Sequence, residues 1–418
     1  MHEYELVVIG GGSAGIACAC EAKDMGINKI LVLEKEPFLG GILQQCIHNG
    51  FGLTRYKVEL TGPEYAERIT QEFLVRQIDY KLNTMVLDLS QDENGLIITY
   101  SNEYDGFTKI KAQAIVTATG CSERTRGNIA TQGDRPAGVM TAGTAQKYLN
   151  IDGYMVGKKV FILGSGDIGL IMARRMSLEG AKVLGVAEIM PYSNGLNRNI
   201  VQCLNDYDIP LYLSHTVKKI IGKNRLEKII ISQVDEAFNY VEGTEREIEC
   251  DTLLLSVGLI PSNPLLEKLG IKMHPKTKGP IVNECYQTSL PNVFACGNSL
   301  HVHDIVDNVS EEGKKAGHFA AKYLLGQLQD GENIEIKPAN GIGYLLPTAV
   351  NLANIEKINL YFRVAKPHKT SVINVMQGEQ IIKTFKKPYL VPSEMENISF
   401  DKSLLTSNLP ISVEVQDA

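Results

Sequence analysis

The sequence predicts an α/β protein made of two parallel-sheet units of one design, followed by a small all-β region. Three observations carry this: a glycine-rich strand–turn–helix–strand segment that occurs twice, an alternating meander after each copy, and short period-2 strands from about Lys337 onward. At 418 residues the chain exceeds one ordinary core, so two or three domains are expected.

The first copy is YELVVIGGGSAGIACACEAKDMGINKILVLEKE. Gly10, Gly12 and Gly15 form a GxGxxG turn between a strand and a helix, and Glu34 ends the next strand. The first glycine allows the tight turn, the second lets a pyrophosphate reach the backbone, and the third lets helix and sheet pack closely. The helix N-terminus then faces the phosphates. The second copy is KKVFILGSGDIGLIMARRMSLEGAKVLGVAEIM, with Gly164, Gly166 and Gly169. Glu34 lies 24 residues after Gly10, and Glu188 lies 24 after Gly164. One such turn is a weak signal; a repeat with the acid at the same offset predicts two bound dinucleotides, each on a Rossmann-like unit.

Composition narrows the function classes. A formal net charge of −6 argues against a nucleic-acid partner, and no apolar run is long enough to span a bilayer. The first strand begins at Tyr4, leaving no room for a signal peptide, and eight unevenly spaced cysteines read as reduced thiols. A cytoplasmic location is expected.

Between the copies a meander closes on Thr117–Gly120, "TATG"; a second one ends in "LLLSVGLIPSN", and "TSLPNVFACGNSLHVHDIVDNVSEEGKKAGHFAAKYLLG" follows as strand, turn and long helix. In this order the motifs resemble the two-dinucleotide-domain, glutathione-reductase-like flavoprotein oxidoreductases, over roughly residues 4–328. The resemblance implies FAD on the first copy and NAD(H) on the second. It implies a discontinuous FAD domain (1–122 and 259–334) with the NAD(H) domain (123–258) inserted, leaving 335–418 as the β domain. The candidate FAD residues are Gly10, Gly12, Ser13, Ala14, Gly15, Glu34, Lys35, Gly41, Ala118, Thr119, Gly120, Gly297 and Asn298. The candidate NAD(H) residues are Gly164, Gly166, Asp167, Ile168, Gly169, Glu188 and Gly258. Asn298 stands where these families usually have Asp, so it can bond a ribityl hydroxyl but brings no charge. The resemblance also implies that the helix from about Asp307 aims its N-terminus at the isoalloxazine.

"GGILQQCIHNGFGL", "TGPEYAERI", "RTRGN", "GDRPAGVMTAGTAQ" and "HVHDIVDN" look like a bacterial FAD/NAD oxidoreductase family associated with glycerol-3-phosphate dehydrogenase. They are similar, more distantly, to the alpha-type subunits of sarcosine oxidase, hydrogen cyanide synthase and dye-linked proline dehydrogenase. That likeness implies a partner dehydrogenase or electron-transfer subunit, with a homo-oligomer as the alternative, and a small-molecule redox substrate.

Disulfide reductases of this type carry CxxxxC after a diglycine. Overlaid on Gly40–Gly41, those positions are Leu43 and His48; Cys46 falls between them, and no CxxC occurs anywhere. A dithiol relay needs a resolving thiol nearby, and none is local. His48 is a candidate for proton exchange with flavin or substrate, or a histidine that only hydrogen-bonds cofactor or backbone. Cys46 is a buried inert thiol, or the sulfenic centre of a peroxidase. Cys18 and Cys20 should pack on the first helix.

Glu123, Arg124 and Arg126 follow the TATG turn, where an arginine could hold a phosphate or only pair with its surroundings. His301, His303 and Asp304 sit ahead of the long helix. Without a Cys or carboxylate cluster elsewhere they predict no metal site, and a polar wall beside the flavin is the expectation. "INLYFRV", "TSVINVMQG", "EQIIKTF", "ENISF" and "ISVEVQDA" predict the C-terminal strands, whose one histidine is His368, and an interaction surface or lid rather than catalysis. The activity expected is that of an FAD enzyme exchanging hydride with NAD(H) and electrons with a partner subunit. Alternatives are a self-contained NADH oxidase or peroxidase using Cys46, and a non-catalytic nucleotide-binding scaffold.

Overall fold

Two compact units make up the chain in the computed structural model, which describes residues 2–93 and 95–417. One runs up to Cys121 and resumes at Pro261; the other is Ser122–Ile260.

In the first unit Glu3–Ile9 is central to a sheet, with Ile30–Leu33 and then Asp79–Lys81 on one side. Gly106–Thr117 and Val293–Ala295 lie on the other, and all five strands are parallel. Parallel strands covered on both faces read as unbroken apolar runs. Leu6, Val7, Val8 and Val32 are accordingly inaccessible to solvent. The meander, Met85–Asp92 and Gly95–Asn102, pairs antiparallel onto Gly106–Thr117.

Small residues on the helix Ser13–Asp24 have a specific cause. The long helix Val306–Leu324 lies against it through Gly313 and Gly317, four residues apart and so on one face. A Cβ on Gly313 would stand 2.2 Å from the Ala14 carbonyl oxygen, and one on Gly317 2.3 Å from that of Cys18. Only glycine permits this approach.

The second unit repeats the order. Lys159–Leu163 is central, Lys182–Glu188 and Leu211–Leu213 lie on one side, Thr252–Leu255 and Val139–Thr141 on the other, all parallel. Its meander is His215–Gly222, Leu226–Gln233 and Arg246–Glu249. In both units the glycine turn leaves the carboxyl end of the central strand, where open α/β sheets bind ligands.

The C-terminal strands form a five-stranded and a three-stranded sheet within the first unit. They share a core of Ile336, Leu360, Phe362, Ile373, Val413 and neighbours. All five predicted strand segments are strands, and Asn333–Pro338, Ile342–Leu346 and Ala349–Asn351 add to them.

A partly buried cation fastens these sheets to the loop before the long helix. Arg363 pairs with Asp304 and donates to the carbonyls of Val302 (3.1 Å), Pro392 (3.0 Å) and Ser393. Asp304 also accepts the Met395 N–H at 2.7 Å. Replacing Arg363 with Met strands a carboxylate that is mostly shielded from water. It should cost about 3–5 kcal/mol, read as a lower urea midpoint. A loss under about 1 kcal/mol would show that the pair behaves as a solvated surface pair.

Candidate functional site

The first glycine turn is shaped by what surrounds it. Gly10 has φ +110°, and a Cβ there would meet the Ala118 carbonyl oxygen at 2.3 Å. A Cβ on Gly15 would overlap the Gly10 carbonyl oxygen at 1.9 Å. Gly12 differs: its backbone is ordinary, with φ −77°, and nothing lies within 4 Å of the position a Cβ would take. Internal packing therefore demands glycine at Gly10 and Gly15 but not at Gly12, whose open face suits a pyrophosphate.

The walls of this opening come from distant parts of the first unit. Gly40 donates to the Gly11 carbonyl (2.9 Å), and Gly41, at φ +58°, would set a Cβ 3.1 Å from the Gly12 Cα. Ala118 hydrogen-bonds Ile9, while Thr119 and Gly120 bond to Ser262. Gly297, at φ +68°, is pressed against Ala14. Ser13 and Ala14 open the helix, with both residues buried. Lys35 is exposed beside Glu36.

Glu34 is buried and turned inward. Its Oε2 accepts the Gly11 N–H at 2.6 Å and its Oε1 the Glu36 N–H at 2.8 Å. Glu188 does the same in the second unit. Its Oε2 accepts the N–H (2.9 Å) and hydroxyl (2.6 Å) of Ser165, and its Oε1 the Met190 N–H (3.0 Å). A carboxylate offers about four acceptor positions. About two thus remain on Glu34 and about one on Glu188 for ribose hydroxyls.

The second turn is more crowded. Gly164 and Gly169 pack on Ser256, whose hydroxyl accepts the Gly169 N–H at 3.0 Å. A Cβ on Gly166 would stand 3.2 Å from that hydroxyl. Asp167 opens the helix and accepts from the Leu196 N–H (2.9 Å) and the Asn199 amide (2.6 Å). Ile168 is half-buried beside it, and Gly258 takes φ +102° near Arg124. Arg126 spends its guanidinium on the carbonyls of Thr131, Gly133 and Asp134 and so staples its own loop. Glu123 accepts the Gly143 N–H.

Beside the diglycine, Gly41–Gln45 is a short 3-10 turn, and Cys46 and His48 follow it half-buried. The His48 Nδ1 lies 2.9 Å from the Asn49 carbonyl, and the ring rests on Phe51 at 4.9 Å. Burial pushes the Cys46 thiol up to about 12. Such a thiol is protonated near neutrality and is a poor nucleophile. Asn298 uses its Oδ1 to accept the His303 N–H at 3.0 Å, and its amide reaches the Cys121 sulfur at 3.8 Å.

The sequence motifs assign no role to the side chains of Asp307 and Glu312. Asp307, in the first turn of the long helix, accepts the N–H groups of Gly52 (3.2 Å) and Arg55 (2.8 Å) and so fixes the loop after His48. Glu312 accepts the Gly297 N–H at 2.6 Å and faces His301 and His303. The one available signal was the glycine pair Gly313 and Gly317, which marks the buried face beside them.

The family model for pyridine nucleotide-disulphide oxidoreductases matches residues 4–316. The chain belongs to that family. Members of the pyridine nucleotide-disulphide oxidoreductase family bind FAD and NAD(P)H and are oxidoreductases. An opine oxidase subunit of Agrobacterium tumefaciens is 26% identical over 78% of this chain and 66% of the relative. A hydrogen cyanide synthase subunit of Pseudomonas aeruginosa is 24% identical over 80% of this chain and 73% of its own. The chain thus spans about two thirds of the first relative's length. Thioredoxin reductase of T. acidophilum shares the fold, with a TM-score of 0.64 at 23% identity over 77% of this chain and 99% of that one. Among the described residues, no helix is long and apolar enough to cross a membrane.

Proposed function

We propose that the chain exchanges a hydride between NAD(H) and FAD, and passes electrons to or from a partner dehydrogenase subunit, without a redox disulfide. The observation that carries this is the Gly41–His48 segment. It holds a single thiol, and burial raises that thiol to about 12. FAD, when bound, supplies the two-electron centre that the thiols of disulfide reductases otherwise extend.

The chain's own residues bind and orient. Gly12 and the start of the helix Ser13–Asp24 receive the FAD pyrophosphate, and Glu34 receives the adenosine ribose. Gly166, Asp167 and Glu188 do the same for NAD(H). Asp307 and Glu312 hold the two loops that flank the helix N-terminus, so that the flavin-facing backbone is preorganised. His48 is the candidate proton carrier. The opine oxidase and hydrogen cyanide synthase relatives are both named as subunits, which supports a partnered electron carrier. The glycerol-3-phosphate dehydrogenase association read from the motifs would make that partner an alcohol-oxidising enzyme.

Cys46→Ser tests the role of the thiol. Anaerobic mixing with NADH should bleach the flavin of the variant at the wild-type rate, within about twofold. A tenfold or greater loss of peroxide-dependent NADH turnover in the variant would move the chemistry onto Cys46 and favour the peroxidase reading.

A further inference from the structure

The loop between the 3-10 turn Gly297–Ser299 and the helix Val306–Leu324 carries two buried histidines, and the helix brings a buried carboxylate up to them. The side chains of His301, His303 and Glu312 are 1%, 1% and 2% exposed. We propose that His301, His303 and Glu312 are a binding site for one divalent first-row transition-metal ion, with zinc as the ion the donor set fits.

The geometry is that of converging ligands. The three donor atoms lie within 4.8 Å of one another. His303 Nε2 stands 3.2 Å from Glu312 Oε1, yet neither of its ring nitrogens makes a directed hydrogen bond. Tetrahedral zinc with bonds of about 2.0–2.2 Å sets neighbouring ligand atoms roughly 3.3 Å apart. The His303–Glu312 separation matches that edge. His301 Nε2 is 2.7 Å from Glu312 Oε2, a hydrogen-bond distance that has to open by about half an ångström around an ion.

The donor types agree: two imidazole nitrogens and a carboxylate oxygen are ligands that zinc takes. The Gly297 N–H on Oε1 orients the carboxylate, as outer-shell partners do at metal centres, and Asn298 accepts the His303 backbone N–H. His301 and Glu312 also line a pocket with Lys315, Tyr286 and Tyr361, which gives an ion a route and leaves room for water as the fourth ligand.

Two histidines spaced HxH carry little weight alone. Glu312, eleven positions after His301, is what the fold adds.

The test uses the full flavin-loaded chain, stripped with a chelator and titrated with zinc by calorimetry, with elemental analysis after desalting. One zinc per chain is expected. Its X-ray absorption should show nitrogen and oxygen neighbours and no sulfur. His303→Gln and Glu312→Gln should each weaken binding by at least about a hundredfold; flavin content and circular dichroism report whether they fold. Unchanged FAD content in His303→Gln with zinc lost would establish the site independently of Glu312. Absence of binding by the stripped protein, sulfur in the zinc shell, or unaltered affinity in a folded His303→Gln would overturn it.

Discussion

Gly12→Ala should fold like the parent chain and bind FAD about tenfold to a hundredfold more weakly. The two halves of that expectation have separate causes. Gly12 has φ −77°, open to any residue, and no atom lies within 4 Å of the added methyl, so the apoprotein has no reason to lose stability. A pyrophosphate resting on that face would meet the methyl directly, and overpacking of this kind costs about 1–3 kcal/mol. Gly15→Ala is the contrast, because its methyl overlaps the Gly10 carbonyl oxygen at 1.9 Å and should disturb the fold itself. Equilibrium FAD binding and apoprotein unfolding, measured on both variants, separate the effects. Undiminished affinity in Gly12→Ala would place the cofactor elsewhere.

NADH should be preferred over NADPH by tenfold to a hundredfold in kcat/KM, and Glu188→Ala should remove most of that preference. Glu188 is buried at the end of the second strand of its unit, with about one acceptor position left for a ribose hydroxyl. NADPH would set a 2′-phosphate against this carboxylate. Like charges about 4 Å apart repel by roughly 4 kcal/mol near a surface, and losing half of that to screening still leaves the stated discrimination. The following segment IMPYSNGLNR offers no arginine before Arg198 to clamp a phosphate. Ser165 and Met190 lose their acceptor in the variant, which lowers stability and both rates together. The ratio of the two cofactors is therefore the readout. Equal use of both by the parent chain, or an unchanged ratio in the variant, contradicts the assignment.

Much of the architecture was legible because it is local and repeated. The GxGxxG spacing, the acid 24 positions on, and the apolar strands fix each βαβ unit within about thirty residues, and both units appear as read. The short C-terminal strands were legible by alternation, as in Lys357–Val364, whose residues alternate between exposed or half-buried and buried. What escaped depends on contacts between distant residues. Asp307 meets Gly52 and Arg55 across some 250 residues, and Arg363 meets Asp304 across 59. The HxH of His301 and His303 pointed to a polar wall beside the flavin and not to a metal site, because Glu312 reaches it only through the fold. The inward turn of Glu34 and Glu188 was hidden for a related reason: their backbone partners are set by the shape of the glycine turn, not by residue type.

The most direct test of the central claim, hydride exchange with FAD and no redox disulfide, is an anaerobic reductive titration of the purified flavoprotein with NADH and, separately, with dithionite. The account predicts full bleaching at two electrons per FAD, with no long-wavelength thiolate-to-flavin band on the way. An endpoint at four electrons with that band would reveal a second, thiol-based centre and contradict it.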